Sequence, residues 1–280
     1  MQTTGNTILI TGGGSGIGRA LAEAFHQLGN QVIISGRRQE ALAEVTAANP
    51  GMAALTVDMM DADSIKAFAD EATTQHPGIN VVIHNAGIMK RETLADAPDF
   101  LATAEDTIAT NLLGPIRLTA ALLPHLLKQK DAAILTVSSG LAFVPMAATP
   151  TYSATKAAIH SYSMGLRRQL AETPVQVIEI VPPYVQTTLM GDRQANDPTA
   201  MPLTDFITEV MDILTNQPDA QEVVVERCKP LRYAAETGNL DRCSRSSAAS
   251  TTEAAGIGSD TCEGCWRDFA APLATPSPAS

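Results

Sequence analysis

Aromatic side chains are only 4% of this chain, with a single Trp, so Ala, Leu, Ile, Val and Met must fill whatever core it builds. Basic residues are scarce too: nineteen Lys and Arg stand against thirty Asp and Glu, a net charge of −11. That balance disfavours any general affinity for nucleic acid or anionic lipid. No apolar run approaches the roughly 18 residues that would span a bilayer. The first eighteen residues hold no Lys or Arg, so the charged start of a secretory signal is missing. Of four Cys, Cys243, Cys262 and Cys265 fall in the last forty residues and cannot form a framework for the fold. A reducing compartment fits this usage. The expectation is a cytoplasmic protein with neither membrane nor nucleic-acid partner.

Apolar residues at 45% of 280 supply enough material for a core on both faces of a sheet. Short β-branched runs alternate with longer helical stretches through the first 230 residues. The runs predict strands at 7–11, 31–35, 53–57, 81–84, 132–138, 175–181 and 222–225. Helices are predicted between them at 16–28, 39–48, 61–76, 102–127, 151–171 and 204–217. The alternation calls for a doubly wound, Rossmann-type α/β fold: a seven-stranded parallel sheet with helices on both faces. From Asp241 onward, twenty-five of forty residues are Ala, Ser, Thr, Gly or Pro. Such a stretch buries too little apolar surface to offset its ordering entropy. The expected organisation is therefore one domain over 1–240 and a disordered, non-homologous tail over 241–280.

The strongest local signal is Thr11-Gly12-Gly13-Gly14-Ser15-Gly16-Ile17-Gly18, which follows an apolar strand and opens a helix. Gly12, Gly16 and Gly18 let the backbone turn tightly and approach a pyrophosphate at the positive end of the helix. The alternative, a tight turn with no ligand, is weakened by the strand-before, helix-after context. The second strand ends Ser35-Gly36-Arg37-Arg38, where an NAD site would place a carboxylate on the ribose 2′-hydroxyl. No carboxylate is there. Arg37, with Arg38 beside it, offers a planar fork for a 2′-phosphate, which favours NADP(H) over NAD(H).

A second constellation is Tyr152-Ser153-Ala154-Thr155-Lys156, whose spacing of four puts phenol and ammonium on one helix face. Free tyrosine titrates near 10, and lowering that by about three units takes about 4 kcal/mol. A close lysine and a cationic nicotinamide are expected to contribute much of it. Tyr and Lys four apart are common, and Ser138-Ser139 at the end of a buried strand strengthens the motif. Ligands bind at that edge of a parallel sheet, and only one of two adjacent serines can face them.

Together these residues resemble the short-chain dehydrogenase/reductase family in its compact form. The family's T-G-x-x-x-G-x-G is met by Thr11 to Gly18, its N-A-G by Asn85-Ala86-Gly87, and its helix Asn by Asn111. Its Ser, Tyr and Lys are met by Ser139, Tyr152 and Lys156, and the likeness runs over about residues 5–232. The resemblance implies a catalytic tetrad in which Tyr152 exchanges a proton with the substrate oxygen. Lys156 would assist it and hold the nicotinamide ribose, Ser139 would orient the carbonyl, and Asn111 would anchor a water. It also implies cofactor contacts from Gly12, Ser15, Gly16, Ile17, Gly18, Arg37, Asp58, Asn85, Ala86, Gly87, Tyr152, Lys156, Val185 and Thr187. Pro182-Pro183 stands where the family has Pro-Gly, and this variant, with residues 223–232, is similar to the DltE-like oxidoreductases.

No metal site is expected, since Cys262-x-x-Cys265 lacks a second pair at ligand spacing. His84 is placed at the edge of the cofactor cleft without a catalytic role. The leucine excess over 112–127 suggests a partner face, and family members pair their equivalent helices, so a homodimer or homotetramer is expected. Met190, Pro198, Met201 and Pro202, facing Leu141, Phe143 and Met146, suggest an apolar pocket for a small or medium alcohol or carbonyl. The reading is an NADP(H)-dependent oxidoreductase of secondary alcohols or ketones. The alternatives are a dinucleotide-binding regulatory or structural protein without turnover, and a nucleotide-sugar epimerase or dehydratase. Intact Ser139, Tyr152 and Lys156 oppose the first, and the absence of a C-terminal substrate domain opposes the second.

Overall fold

The computed structural model describes residues 1–94 and 100–244. Seven strands form one sheet: β1 (Thr7–Thr11), β2 (Gln31–Gly36), β3 (Ala53–Thr56), β4 (Ile79–His84), β5 (Ala132–Val137), β6 (Val175–Val181) and β7 (Glu222–Val224). Their order is β3-β2-β1-β4-β5-β6-β7, and every pairing is parallel. The expected doubly wound sheet is therefore the observed one, with β4 starting two residues earlier than the β-branched run suggested.

Helices α1 (Gly16–Gln27), α2 (Gln39–Ala48), α3 (Ala62–Gln75), α4 (Phe100–Ile108), α5 (Gly114–Leu126), α6 (Pro150–Gln169), α7 (Asp192–Ala195), α8 (Leu203–Asn216) and α9 (Lys229–Arg232) cover it. Alternate strand residues divide between two cores. Ile8, Ile10, Val32 and Ile34 pack with Phe25 of α1 and Phe206 of α8 on one face. Leu9, Ile33, Val82 and Ile134 pack with Phe68 of α3 and Leu118 and Leu122 of α5 on the other. Because β1 leads back toward β2 and forward toward β4, the chain reverses its winding between β1 and β4. The crevice at the carboxyl ends of those strands is the position such sheets use for ligands.

The helix expected over 102–127 is two helices, separated by a π-turn at Ala109–Leu113. Pro115 lacks the N–H that an α-helix would direct at the Asn111 carbonyl, so the ladder cannot pass through this point unaltered. Gly114 makes the crossing possible, since a Cβ there would lie 2.7 Å from the Met59 carbonyl.

Residues 240–244 are helical, and Cys243 is 3% exposed, packed with Val144, Leu231 and Ala234. The expected boundary at Asp241 thus falls inside a packed helical turn. The rest of the expected tail, with Cys262 and Cys265, lies outside the described residues. No helix among the described residues is long and apolar enough to cross a membrane.

Phe25 is fully buried between α1 and the sheet. Phe25→Ala is expected to cost about 3–5 kcal/mol through lost burial and the cavity left behind. A urea midpoint within error of the parent would contradict this packing.

Candidate active site

The glycine-rich turn is built by contacts rather than by flexibility alone. Thr11 Oγ1 accepts from the backbone N–H of both Asn85 and Ala86 at 3.1 Å, and Asn85 Nδ2 donates to the Thr11 carbonyl at 3.0 Å. These bonds clamp the Asn85-Ala86-Gly87 segment to Gly12. Gly18 is the tightest point, because a Cβ there would sit 2.3 Å from Asn85 Nδ2 and 2.4 Å from the Gly12 carbonyl. Gly12 and Gly16 adopt φ of +71° and +53°, the left-handed region that glycine tolerates. Space remains where a pyrophosphate would lie. A Cβ on Gly16 would meet only the Thr187 side chain, at 3.5 Å.

Thr187 is held from below by a residue that no motif marks. Gln194 of α7 is buried, and its Nε2 donates to the Val185 carbonyl at 2.8 Å and to Thr187 Oγ1 at 3.1 Å. Val185 pairs with Met201 in an isolated parallel bridge, which pulls Met201 into the core and away from the expected substrate wall. Phe143 leaves that wall too. Its ring meets His160 edge-on at 4.7 Å and lies 4.5 Å beneath the Arg232 guanidinium.

At the outer end of the turn, Arg38 Nη2 donates to Ser15 Oγ at 3.3 Å, while the exposed Arg37 makes no hydrogen bond or ion pair among the described residues. Asp58 stands one strand over, half-buried, and its Oδ1 accepts from the Met60 N–H at 3.0 Å.

Asn111, Ser139, Tyr152 and Lys156 are all buried and converge at the carboxyl ends of β4 and β5. Tyr152 and Lys156 lie one turn apart on α6, with the ammonium 5.5 Å from the centre of the phenol ring. Lys156 Nζ donates to the Val137 carbonyl at 2.8 Å, so the end of β5 fixes the cation. Ser139 Oγ accepts from the Leu141 N–H at 3.1 Å, and its side chain acts on the Tyr152 phenol in the direction that favours the phenolate. Ser138, its neighbour, turns the other way toward the Ile180 carbonyl, as strand alternation requires. Asn111 exchanges two 2.9 Å bonds with the backbone of Ile88 and reaches Thr155 Oγ1 at 3.4 Å. Gly87 brings both ends of the site together: a Cβ there would be 3.3 Å from Asn111 Oδ1 and 3.8 Å from Lys156 Nζ.

Electrostatically the chain alone departs from the expected acidic phenol. Burial pushes Tyr152 up to about 12, with the Ser139 side chain opposing. Burial pulls Lys156 down to about 8, with the Glu179 carboxylate opposing. Desolvation dominates for both groups because both are enclosed by protein. His84 also differs from expectation. It is buried against α5, its Nε2 2.9 Å from Thr119 Oγ1, and burial pulls its imidazole down to about 4.

The sequence pattern of the short chain dehydrogenase family matches residues 6–198. The chain belongs to the short-chain dehydrogenase/reductase family. These enzymes act on CH–OH and carbonyl groups, and this member falls in the DltE-like subgroup. It is 40% identical over 237 residues to the uncharacterized oxidoreductase DltE of Bacillus subtilis, covering 84% of this chain and 93% of that protein. A Staphylococcus aureus uncharacterized oxidoreductase is 28% identical over 76% of this chain and 92% of its own. Among solved structures, a short-chain dehydrogenase from Burkholderia cenocepacia in complex with NADP superposes with a TM-score of 0.71 at 25% identity, covering 84% and 94% of the two chains. A Burkholderia phymatum member in complex with NAD shares the fold, with a TM-score of 0.73 at 21% identity and coverage of 86% and 96%.

Another positioning group in this dehydrogenase/reductase escaped sequence reasoning. Glu92 is buried, and its carboxylate accepts from the Thr151 N–H at 3.2 Å and from Thr151 Oγ1 at 2.7 Å. It thereby caps the N-terminus of α6 one residue before Tyr152, where a negative charge is favoured. The only advance signal was an acidic residue shortly after Asn85-Ala86-Gly87.

Gly18→Ala is expected to abolish dinucleotide binding, because neither the Gly12 carbonyl nor Asn85 can retreat without breaking the clamp. Fluorescence titration with NADPH checks this, and parental affinity in the variant would contradict the geometry.

Proposed function

We propose that this chain is an NADP(H)-dependent oxidoreductase that interconverts a secondary alcohol and a ketone on a small or medium apolar molecule. The observation that carries the reading is the convergence of Ser139, Tyr152, Lys156 and Asn111 at the sheet edge that adjoins the glycine cradle. The residues fit a dinucleotide: Gly16 faces open space toward Thr187, while Gly18 and Gly12 are too close to their neighbours to be anything but glycine. Gly12, Ser15, Gly16, Ile17 and Gly18 would hold the pyrophosphate, Asp58 and the Asn85-Ala86-Gly87 backbone the adenosine, and Val185 and Thr187 the carboxamide side. When bound, the dinucleotide supplies or accepts the hydride.

The chain's own groups manage the proton. Ser139, aligned by the Leu141 N–H, holds and polarises the substrate oxygen. Tyr152 delivers a proton to it during reduction and removes one during oxidation. Lys156 stands below the phenol, where its charge stabilises the phenolate as it forms and where it can reach the nicotinamide ribose. Asn111, through a main-chain carbonyl that Pro115 cannot address, is suited to anchor a water on the route from Lys156 to solvent. With Tyr152 raised to about 12 by its burial, the ammonium has to remain charged for proton transfer at neutral pH.

NADP(H) is preferred because Arg37 makes no hydrogen bond or ion pair among the described residues and Ser35-Gly36-Arg37-Arg38, at the end of β2, contains no carboxylate to repel a 2′-phosphate. Exposed Ile108, Leu113 and Met164 on α4, the π-turn and α6 support assembly of identical chains through these helices. The buried free thiol of Cys228 fits a reducing, cytoplasmic setting. The catalytic domain extends through Ser244, with the remainder dispensable.

Tyr152→Phe is expected to lower kcat for NADPH-dependent carbonyl reduction by about 10²–10⁴-fold, with dinucleotide affinity nearly unchanged. Activity surviving in that variant would show the acid to be misassigned. For Arg37→Ala, NADPH should weaken at least about tenfold while NADH is unaffected. Equal losses for both would reject the 2′-phosphate role.

A further inference from the structure

Beneath the proposed site runs a row of polar residues on one face of the sheet, on strands whose other inward positions are aliphatic. His84, Thr136, Glu179 and Glu222 are successive register partners across β4, β5, β6 and β7. Each meets a helix residue. His84 meets Thr119, and Thr136 Oγ1 lies 2.7 Å from Ser163 Oγ. Glu179 Oε2 lies 2.7 Å from His160 Nδ1, and both Glu222 oxygens accept from Arg232, at 2.7 and 3.1 Å.

His84 Nδ1 and Glu179 Oε1 are both left without a hydrogen-bond partner, and of the two residues only Glu179 is an acid. It is 0% exposed. An isolated buried carboxylate is costly unless another charge compensates it. Arg232 does not serve, being committed to Glu222 and, at 3.0 Å, to Glu236. The buried Cys228 thiol supplies no counter-charge either, because a thiol is neutral or anionic. Besides His160, which pairs with Oε2, the remaining basic group that acts on this carboxylate is Lys156. Tyr152, Lys156 and His160 follow one another at intervals of four along α6, on the stripe that faces this part of the sheet. Lys156 Nζ is bound to the carbonyl of Val137, the residue after Glu179's register partner Thr136. Lys156 and Glu179 form no direct ion pair among the described residues, yet the carboxylate acts on the ammonium through a buried, poorly screened medium.

We propose that Glu179, held by His160, is a positioning residue that keeps Lys156 charged and so acts on Tyr152 through it. A metal ion is a poorer reading of His160, Glu179 and Glu222, whose ligand atoms fall within 4.8 Å of one another, because Arg232 already occupies both oxygens of Glu222. The groups facing Glu179 are Lys156 and His160 from α6, Glu222 from β7, Arg232 from α9 and the Cys228 thiol. The inference rests on the oxidoreductase reading only for its effect on turnover. The charge on Lys156 is measurable without it.

The chain has only six lysines, so the Cε resonance of Lys156 can be followed by NMR in lysine-labelled, dinucleotide-free protein and assigned with Lys156→Met. The parent should titrate near pH 8, as burial against Glu179's opposition sets it. In Glu179→Gln the midpoint should fall by about one unit or more, Glu179→Asp should restore much of it, and Glu222→Gln should leave it in place. His160→Ala, at a half-buried position, should lower it in the same direction by a smaller amount. In turnover, the alkaline limb of carbonyl reduction should move to lower pH in step with Lys156, with KM for the carbonyl within about twofold. An unchanged Lys156 midpoint in folded Glu179→Gln overturns the proposal. If that variant does not fold, an unchanged midpoint in His160→Ala overturns it. A shifted midpoint in a parent protein that reduces no carbonyl would instead sink the oxidoreductase reading and leave the link between Glu179 and Lys156 standing.

Discussion

Lys156 is 5% exposed, and its ammonium is fastened to the Val137 carbonyl at the end of β5. Burying a cation in this way is unfavourable by itself, and much of the surrounding architecture can be understood as what makes it tolerable and useful. The end of β5 supplies the acceptor, β6 the opposing carboxylate, and α6 the rigid stem that keeps the phenol one turn away. A flexible surface lysine would carry its charge at lower cost, but in water that charge would act only weakly on Tyr152. Enclosure strengthens the coupling, and it is also why Tyr152 and Lys156 both move away from their charged forms in the chain alone. A bound dinucleotide that brings positive charge to this enclosure would act on a phenol already isolated from solvent.

The parts of the site that were legible in the sequence are those whose chemistry is local. Gly12, Gly16 and Gly18 follow from a turn that must pass close to other backbone, and Tyr152 and Lys156 from the helical interval of four. The strands were visible because a parallel sheet covered on both faces needs aliphatic runs. What escaped was arranged across the fold. Glu92 caps α6 from fifty-nine positions before Thr151, and Gln194 supports Thr187 from a four-residue helix with no apolar period of its own. Phe143 was assigned to the substrate wall from its position in the chain. A half-buried imidazole on one side and a guanidinium on the other hold it in place.

The break at Asn111 shows how such a long-range requirement can still leave a local trace. Its side chain must reach the Ile88 backbone and Thr155 at once, which an uninterrupted helix through 102–127 would not easily allow. Pro115, four residues on, removes one rung of the ladder, and Gly114 lets the helix pass against Met59. A Gly-Pro pair inside an otherwise helical leucine-rich stretch is therefore physical evidence for a special residue one turn earlier. Read that way, the same sequence that suggested one long helix contained the reason for two.

The polar row His84, Thr136, Glu179 and Glu222 is the converse case, in which the trace was present but looked like noise. Each residue lies in a mostly aliphatic strand, and one polar residue in such a run carries little information. Only the parallel register, which places the four side by side, turns isolated interruptions into a layer. All four meet a helix residue through a hydrogen bond or ion pair, and His84 Nδ1 and Glu179 Oε1 are left without a partner. Glu179 keeps an oxygen unsatisfied at full burial, a cost that packing alone does not explain, since an aliphatic side chain would fill the same place. Its proximity in the fold to the buried ammonium accounts for a carboxylate at that position.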